Sequence, residues 1–346
     1  MKKILSLILV VVLVFSVGLT GCSSDSDQTS GEQKEGNEGA SEEKITLKFS
    51  TTTADTSTWT LGAKKFAEIV SEKTNGRIEV KVYPNEQLSG GNQSKGIEML
   101  MSGATDLTFH SNIIYSVMDE RFGVVSLPFL IPDIETADAL LDGAGGDALN
   151  EILLEKNVIG LGFGENGFRQ ITNSVNPIET PEDMAGMKVR VPGMKMYISL
   201  FQALGADPIS MNFSEVFTAL QQGTIDGQEN PTDVIASSKL NEVQDYMTEW
   251  DYSYDAIILG INKDKFESFD AETQQIITDA AKEACDYQRK INREASVTQT
   301  QEFIDAGMKV NSLTPEQKDV FREKVESVYT EYEPIMGKDL IDAFRQ

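Results

Sequence analysis

From Ile45 onward, short apolar runs alternate with segments in which apolar residues recur at helical spacing. The runs predict β-strands at residues 45–50, 77–83, 106–109, 158–163, 168–172, 187–191, 224–229 and 256–261. Between the strands, stripes such as Trp59, Ala63, Phe66 and Val70 predict amphipathic helices. Because such alternation is typical of βα units, the pattern predicts an α/β fold with a mainly parallel sheet.

The longest helical pattern begins after Asp270, a good N-cap residue, and continues through Ala295 toward Ile304. A helix of about thirty residues would be about 45 Å long, which is enough to lie across two lobes. Thr314 and Gln317 have the spacing of a capping box and are predicted to begin the final helical part.

The first residues of the chain have a different pattern. Lys2 and Lys3 precede an apolar run at residues 4–19, and small residues then lead into Cys22. This arrangement is typical of an export signal, and the residues before Cys22 match a bacterial lipobox. We therefore predict a lipoprotein signal peptide at residues 1–21 and lipid attachment at Cys22. The alternative is an uncleaved anchor or a buried helix.

Residues 22–44 are rich in Ser, Gly, Glu, Asp and Gln, with no aromatic residue and almost nothing apolar. Such a segment cannot bury enough surface to offset the entropy of ordering it. We predict a flexible acidic tether that holds a body outside the cytoplasm close to a membrane, without a further membrane contact.

The composition excludes several classes of function. The 55 acidic and 30 basic residues give a formal net charge of −25, which argues against nucleic acid or an anionic membrane surface as the main partner. With one histidine and two cysteines, the chain is poorly supplied for histidine-based catalysis, a zinc site or a disulfide framework. We predict no metal and no cofactor.

Enzyme motifs are also missing or misplaced. There is no G-x-S-x-G elbow, and Cys285 lies in a helical pattern among alanines, which favours a buried structural thiol over a nucleophile. Residues 162–167 fit G-x-G-x-x-G, but a strand rather than a helix is predicted to follow. We expect these glycines to serve a crossing between two lobes, where they permit unusual backbone angles.

The stretch 188–231 carries the clearest binding signal. Arg190 lies at the carboxyl end of a predicted strand, where ligands bind in open α/β sheets, and its guanidinium is suited to a carboxylate or phosphate. The alternative is an ordinary ion pair. Arg169 could complement the same anion or form an inter-lobe salt bridge. Asn230 precedes a proline at a predicted helix start, so it could act as an N-cap, with part of its amide free for a ligand.

Aromatic residues could form the walls of the same site. Phe213 lies in the same stretch, and Trp250, Tyr252 and Tyr254 fall on one face of an extended segment. These side chains could enclose an organic ligand or belong to the core, which is the commoner role of an aromatic stripe.

Four motifs in this order resemble the solute receptors of tripartite ATP-independent periplasmic (TRAP) transporters, of the dicarboxylate-binding DctP type. The resemblance extends from Ile45 to about Glu333. Its most specific parts are K-V-R-V-P at residues 188–192, L-G-A-D-P at 204–208, M-N-F-S-E-V at 211–216 and D-G-Q-E-N-P at 226–231.

The resemblance implies a two-lobed periplasmic-binding-protein-like fold with several inter-lobe crossings and a long helix spanning both lobes. The expected lobes are residues 45–166 with 256–296 and residues 167–255 with 297–346. In the family, the arginine matching Arg190 pairs with a ligand carboxylate. Three other positions of the site are implied in the same way: Arg169, Phe213 and Asn230.

Two departures bear on the ligand. Where sialic acid-binding members have an acidic residue and an asparagine, this chain has Ser111 and Thr52. A C4-dicarboxylate or a sugar acid such as a uronate or aldonate is therefore expected. The predicted hydroxyl partners and remaining wall residue are His110, Glu165, Asn166 and Tyr252.

The resemblance thus predicts an extracytoplasmic receptor, not an enzyme, that delivers a small organic acid to TRAP transporter membrane subunits. The receptor is expected to be a monomer, bound to a membrane through its lipid only. Two other classes of protein fit the same export signal: a tethered hydrolase acting on acidic carbohydrate, and a receptor that serves a sensor.

Overall fold

The computed structural model describes residues 44–345. The predicted signal peptide, the predicted lipid attachment at Cys22 and nearly all of the predicted tether lie outside the described residues. Within residues 44–345, no helix is both long and apolar enough to cross a membrane.

The described chain forms eleven β-strands. In chain order they are β1 (Ile45–Thr51), β2 (Ile78–Tyr83), β3 (Leu107–Ser111), β4 (Val158–Phe168), β5 (Gln170–Asn173), β6 (Lys188–Val191), β7 (Asp207–Ser210), β8 (Gly227–Asn230), β9 (Tyr246–Glu249), β10 (Tyr254–Asn262) and β11 (Lys309–Ser312).

Thirteen α-helices accompany these strands in the described range. They are α1 (Thr58–Lys73), α2 (Gln93–Met101), α3 (Asn112–Met118), α4 (Ile134–Leu141), α5 (Ala144–Glu155), α6 (Lys195–Ala203), α7 (Phe213–Gln221), α8 (Thr232–Ser237), α9 (Lys263–Glu267), α10 (Ala271–Asp305), α11 (Pro315–Lys324), α12 (Glu326–Met336) and α13 (Lys338–Ala343). Short 3₁₀ segments lie at Gln87–Ser89, Glu120–Ser126, Pro181–Met184 and Leu240–Glu242.

The strands form two sheets, one in each of two lobes. The first sheet has the order β2-β1-β3-β10-β4, and the second has the order β11-β9-β5-β8-β6-β7. The chain passes from the first sheet to the second between β4 and β5, returns between β9 and β10, and passes again to the second along α10 before β11. These three crossings confirm the two-lobed α/β architecture that the resemblance implies.

The prediction of a mainly parallel sheet is confirmed, because in each of the two sheets all strands but one run in the same direction. β10 runs antiparallel to both β3 and β4, and β5 runs antiparallel to both β8 and β9. These antiparallel strands adjoin two of the crossings between lobes, whereas β1–β2, β1–β3 and β6–β7 are parallel. A strand that follows an inter-lobe crossing is not preceded by a βα unit of its own sheet, so its direction need not be parallel to that of its neighbours.

The long helix α10 has 35 residues, somewhat more than predicted, and Asp270 caps it by accepting a hydrogen bond from the Thr273 backbone N–H. Near its start, Ile277 and its neighbours pack into the core of the first lobe. Near its end, Phe303 packs with Val216 of the second lobe. The helix therefore spans both lobes, as the resemblance implies.

The C-terminal helices also contact both lobes. α12 packs against the 3₁₀ segment Glu120–Ser126 and against α6. The apolar cluster beneath α11 and α12 includes Trp250 and Tyr252, whose ring centroids are 4.1 Å apart. Both rings are almost fully buried. Of the two roles considered for this aromatic face, Trp250 and Tyr252 therefore have the core role.

The motif at residues 162–167 lies in a continuous strand, β4, and no helix opens on its second glycine. Gly164 permits close packing, because a Cβ there would lie 2.6 Å from Gln288 Oε1 of α10. Gly167 alone among its glycines has a positive φ, of 100°, and it lies beside the first crossing. Most of the motif thus serves helix packing, and only Gly167 has the unusual backbone angle expected of a crossing.

Candidate functional site

A small cavity lies where the two lobes meet. Its polar lining from the first lobe consists of Thr52, Thr53, Gln93, Ser111, Asn166 and Asp255. The second lobe and the crossing contribute Arg169, Arg190, Phe213 and Asn230. The cavity leaves about 30 Å³ of space for the centres of water-sized molecules and opens to solvent at its mouth. Five sequence-predicted site residues therefore lie together: Arg169, Arg190, Phe213, Asn230 and Asn166.

Arg190 is a buried cation without a carboxylate partner. It lies on β6 between β7 and β8, and only 2% of the residue is exposed. Its Nε and Nη2 both donate to the Met211 carbonyl oxygen, at 3.2 and 2.9 Å. No carboxylate of residues 44–345 forms an ion pair with it, so the ion-pair alternative does not apply within the described chain.

The electrostatic state of Arg190 reflects this isolation. Burial is the main influence and lowers its pKa to about 10, while the nearby charge of Glu229 opposes the shift and that of Arg169 adds to it. An arginine is normally charged far above neutral pH, so a lowered pKa means that its surroundings do not fully compensate the charge. The guanidinium therefore presents an unmatched positive charge to the cavity.

Arg169 is in the opposite situation. Its Nε and Nη2 donate to the Glu229 carboxylate, and its Nη1 donates to Asp255 Oδ2 at 2.5 Å. Burial alone would lower its pKa, but Glu229 and Asp255 outweigh burial and raise it well above the ordinary value. Since Glu229 is on β8 and Asp255 on β10, Arg169 forms an inter-lobe salt bridge while it also lines the cavity.

Asn230 lies at the carboxyl end of β8, and Pro231 rather than Asn230 is the N-cap of α8. The predicted N-cap role is therefore wrong, because the strand continues through Asn230. Its Nδ2 donates to Gln228 Oε1 at 2.6 Å, and its Oδ1 accepts from Arg169 Nη2 at 3.1 Å. Both ends of the amide are thus fixed beside the guanidinium of Arg169.

Phe213 begins α7 and forms an apolar wall beside Arg190, whose Cζ lies 5.7 Å from the ring centroid. Asn212 and Glu215 form a capping box at this helix start, which fixes the position of Phe213. Its backbone N–H donates to Gln93 Oε1 of the first lobe at 3.3 Å, so the helix start also contacts the opposite wall.

Asp255 was not found by sequence reasoning. It is fully buried, its Oδ1 accepts from Ser111 at 2.5 Å, and its Oδ2 accepts from Asn166 at 2.6 Å. Burial raises its pKa, although Arg169 and the hydrogen bonds from Ser111 and Asn166 oppose the rise. Trp59 holds Asn166 from the other side, donating to its Oδ1 at 3.1 Å.

Thr53 was also not found, and it has an unmatched group. It follows β1, only 1% of it is exposed, and its hydroxyl oxygen has no hydrogen-bond partner in the described protein. The preceding Thr52 is already engaged, because its hydroxyl donates to Glu86 Oε1 at 2.8 Å. In the sequence, the only signal for this side of the cavity was a run of consecutive threonines at the end of a predicted strand.

Three predicted site residues lie outside the cavity lining. His110 is fully buried, and its Nε2 is 2.9 Å from Glu86 Oε1. Glu165 turns toward α10 and accepts from Arg293 Nε at 3.0 Å. The hydroxyl of Tyr252 donates to Glu229 Oε2 at 2.6 Å. We therefore retain none of the three among the proposed ligand contacts, although Tyr252 supports the partner of Arg169.

The arrangement is suited to binding an anion. It combines one unmatched guanidinium, an unmatched hydroxyl and a partly apolar wall around one cavity. Among residues 44–345, no group of three or more His, Cys, Asp or Glu side chains has the geometry of a metal site.

Comparison with known proteins agrees with this geometry. Residues 49–334 match the DctP family, described as bacterial extracellular solute-binding protein, family 7. The chain is 36% identical to the 2,3-diketo-L-gulonate-binding periplasmic protein YiaO of Escherichia coli, over 76% of this chain and 78% of that protein. It is 30% identical to the C4-dicarboxylate-binding protein DctB of Bacillus subtilis, over 87% and 85% of the two chains.

A solved structure gives the same result at the level of the fold. A TRAP periplasmic solute-binding protein of Ralstonia eutropha with bound (S)-2-acetolactate superposes with a TM-score of 0.85 and is 35% identical. The match covers 87% of this chain and 97% of that one. This is a family of solute receptors rather than of hydrolases, so the hydrolase alternative is not favoured. The chain belongs to the DctP family of bacterial extracellular solute-binding proteins, the solute receptors of TRAP transporters.

Proposed function

We propose that this protein binds a small organic acid outside the cytoplasm and that Arg190 takes the ligand carboxylate. The observation that carries the proposal is a buried guanidinium with no carboxylate partner within the described chain. Burying an unpaired charge is costly, so such a group is retained where a ligand supplies the opposite charge. A carboxylate fits the planar donors of arginine through two parallel hydrogen bonds.

The other cavity residues have supporting roles in this proposal. Arg169 and Asn230 form the polar floor, Phe213 covers the ligand beside Arg190, and Asn166 offers an amide to a ligand hydroxyl. We propose that two lobes close over the acid and exclude water: residues 45–166 with 256–296, and residues 167–255 with 297–346, except that the strand ends at 167–168 and 254–255 belong to the first lobe. Excluding water strengthens the pairing of Arg190 with the carboxylate.

The ligand class is a C4-dicarboxylate or a sugar acid. Relatives named for 2,3-diketo-L-gulonate and for C4-dicarboxylates, and a structure with bound acetolactate, all concern acids with a carboxylate.

We further propose that the receptor is a monomer, is lipid-anchored at Cys22, and delivers its acid to TRAP membrane subunits. The support is the apolar run before Cys22 and the acidic segment at residues 22–44. Metabolic labelling with a fatty acid tests the anchor: the wild type takes up label and stays with membranes, whereas Cys22→Ser does neither. Label retained by the variant would refute the assignment.

Calorimetric titration with a panel of organic acids tests the binding role. We expect at least one acid to bind, and expect Arg190→Ala to weaken it by about 3 to 5 kcal/mol, because the variant leaves the carboxylate unpaired. Lys188→Ala is the matched control, since Lys188 lies on the same strand but is exposed. Equal affinity in Arg190→Ala and Lys188→Ala would refute the role of Arg190.

A further inference from the structure

The cavity contains two buried arginines, but only one lacks a counter-charge. Arg169 is held by the carboxylates of Glu229 and Asp255, so this group of one cation and two anions has a formal charge of −1. Arg190 has no carboxylate partner in the described chain. The site therefore has one full positive charge to offer a ligand.

The wall that the first sheet contributes to the cavity carries a negative charge. Arg190 lies on β6 of the second sheet, whereas Asp255 lies on β10 of the first sheet, and both line the cavity. Each Asp255 oxygen already accepts hydrogen bonds, from Ser111 on one side and from Asn166 and Arg169 on the other. Because both residues line one cavity, an acid held by Arg190 and long enough to reach Asp255 brings any second carboxylate near a like charge.

The groups that remain available on this wall are neutral. The hydroxyl of Thr53 is buried and has no partner in the described protein, so it is able to donate to or accept from a ligand. Gln93 receives a hydrogen bond at its Oε1 from the Phe213 backbone, which leaves its Nε2 to act as a donor. Such groups match hydroxyl and carbonyl oxygens along a carbon chain better than they match a full negative charge.

Resting on the proposed role of Arg190, we propose that this receptor selects acids with one carboxylate and an oxygenated chain, and that it rejects acids with a carboxylate at each end. Asp255 supplies the rejection, and the Thr53 hydroxyl supplies a favourable contact for the singly charged class. Specificity of this kind combines an attractive contact for one ligand with an unpaired charge against the other.

Matched pairs of acids test the proposal by calorimetry at pH 7.5. Erythronate is compared with meso-tartrate, and galactonate with galactarate, because each pair differs only in a terminal CH₂OH or carboxylate. In whichever pair binds more tightly, we expect the dicarboxylate to bind at least about tenfold more weakly than the monocarboxylate, since like charges in an enclosed site repel. The proposal is overturned if a dicarboxylate binds as tightly as the monocarboxylate of its pair, or if only the dicarboxylate of a pair binds.

Two variants test the assigned residues. Asp255→Asn removes the charge with little change in shape. The gap in affinity between the two acids of each pair should therefore narrow by at least about threefold, because the dicarboxylate binds more tightly. Asp245→Asn, at an exposed position outside the cavity, is the control and should leave the gap unchanged. A gap unaltered by Asp255→Asn overturns the role of Asp255.

Thr53→Val removes the free hydroxyl and keeps the shape of the side chain. We expect it to weaken erythronate about three- to tenfold and to leave butyrate, which has no hydroxyl, nearly unchanged. Equal weakening of both acids would indicate a packing role and overturn the assigned contact.

The outcomes separate this inference from the proposed function. If the protein prefers dicarboxylates and Arg190→Ala weakens their binding, selection by charge is refuted, but the receptor role is still supported. Failure of every organic acid to bind refutes the receptor role itself, and the inference with it.

Discussion

The inter-lobe salt bridge of Arg169 should dominate the stability of the junction between the lobes. Arg169→Met keeps an apolar side chain of similar length and removes the guanidinium. The variant leaves Glu229 and Asp255, both fully buried, without the cation that compensates them. We expect the ligand-free protein to lose much of its stability for this reason alone.

The magnitude follows from the cost of the uncompensated charges. Removing one partner of a buried ion pair costs about 3 to 5 kcal/mol. The variant is able to limit the loss by protonating one carboxylate. At pH 7, roughly three pH units above the ordinary pKa of a carboxyl group, this protonation costs about 1.4 kcal/mol per pH unit, or about 4 kcal/mol in total. Both routes give a loss of about 4 kcal/mol at pH 7.

The sign of the pH dependence is diagnostic. A carboxylate whose folded pKa is raised contributes stability at low pH, and that stability is lost as pH rises through the folded value. Asp255 already has a raised pKa from burial, and loss of Arg169 raises it further. At pH 5 the proton costs only about 1.4 kcal/mol, so the deficit of the variant should shrink to about that size.

Urea denaturation followed by far-UV circular dichroism at pH 5 and pH 7 measures both values. Arg345→Met is the control, since Arg345 forms an exposed ion pair with Glu333 and such pairs contribute about 1 kcal/mol or less. A deficit of Arg169→Met no larger than that of Arg345→Met, or one that is equal at the two pH values, would show that the Arg169 salt bridge does not stabilise the junction in this way.

Two further predictions concern α10. Burial raises the pKa of Cys285 to about 12, so in a Cys22→Ser background an aromatic disulfide reagent at pH 8 should react only after unfolding; rapid reaction of the folded protein would contradict this. Gly164→Ala should cost about 1 to 3 kcal/mol, because its Cβ would lie 2.6 Å from Gln288 Oε1. Gly162→Ala, whose nearest contact is the Cys285 sulfur at 3.1 Å, should cost less, and the reverse order in thermal denaturation would count against this packing.

The sequence alone was sufficient to locate most elements and the cationic side of the cavity. Arg190 could be placed because strand alternation and a following proline identify a strand end. β7, β9 and β11 were not predicted, since each has four residues and no clear alternation of buried and exposed positions. Their pairing depends on neighbours that are distant in the sequence.

The opposite wall required the structure. Asp255 and Ser111 are 144 residues apart in the chain and meet because β10 pairs with β3. His110 was predicted as a contact, yet the cavity is lined by the next residue of β3, Ser111; of Glu165 and Asn166, both predicted, only Asn166 lines it. A shift of one residue reverses the face of a strand, and sequence pattern does not resolve it where every residue of the strand is buried.

The counter-charges were equally hidden. Arg169, between β4 and β5, and Arg190, within β6, are the same residue type, but only Arg169 is neutralised by carboxylates. That difference depends on which strands lie side by side, and it determines which arginine is free for a ligand.

A crystal structure with a bound organic acid shows whether Arg190 takes the ligand carboxylate. We expect the ligand carboxylate to lie about 2.7 to 2.9 Å from the Arg190 guanidinium nitrogens, in charge-assisted hydrogen bonds that include Nη1, with the Arg169 pairs to Glu229 and Asp255 intact. A carboxylate bound to Arg169 in place of Glu229 or Asp255, with Arg190 still without a negatively charged partner, would contradict the account.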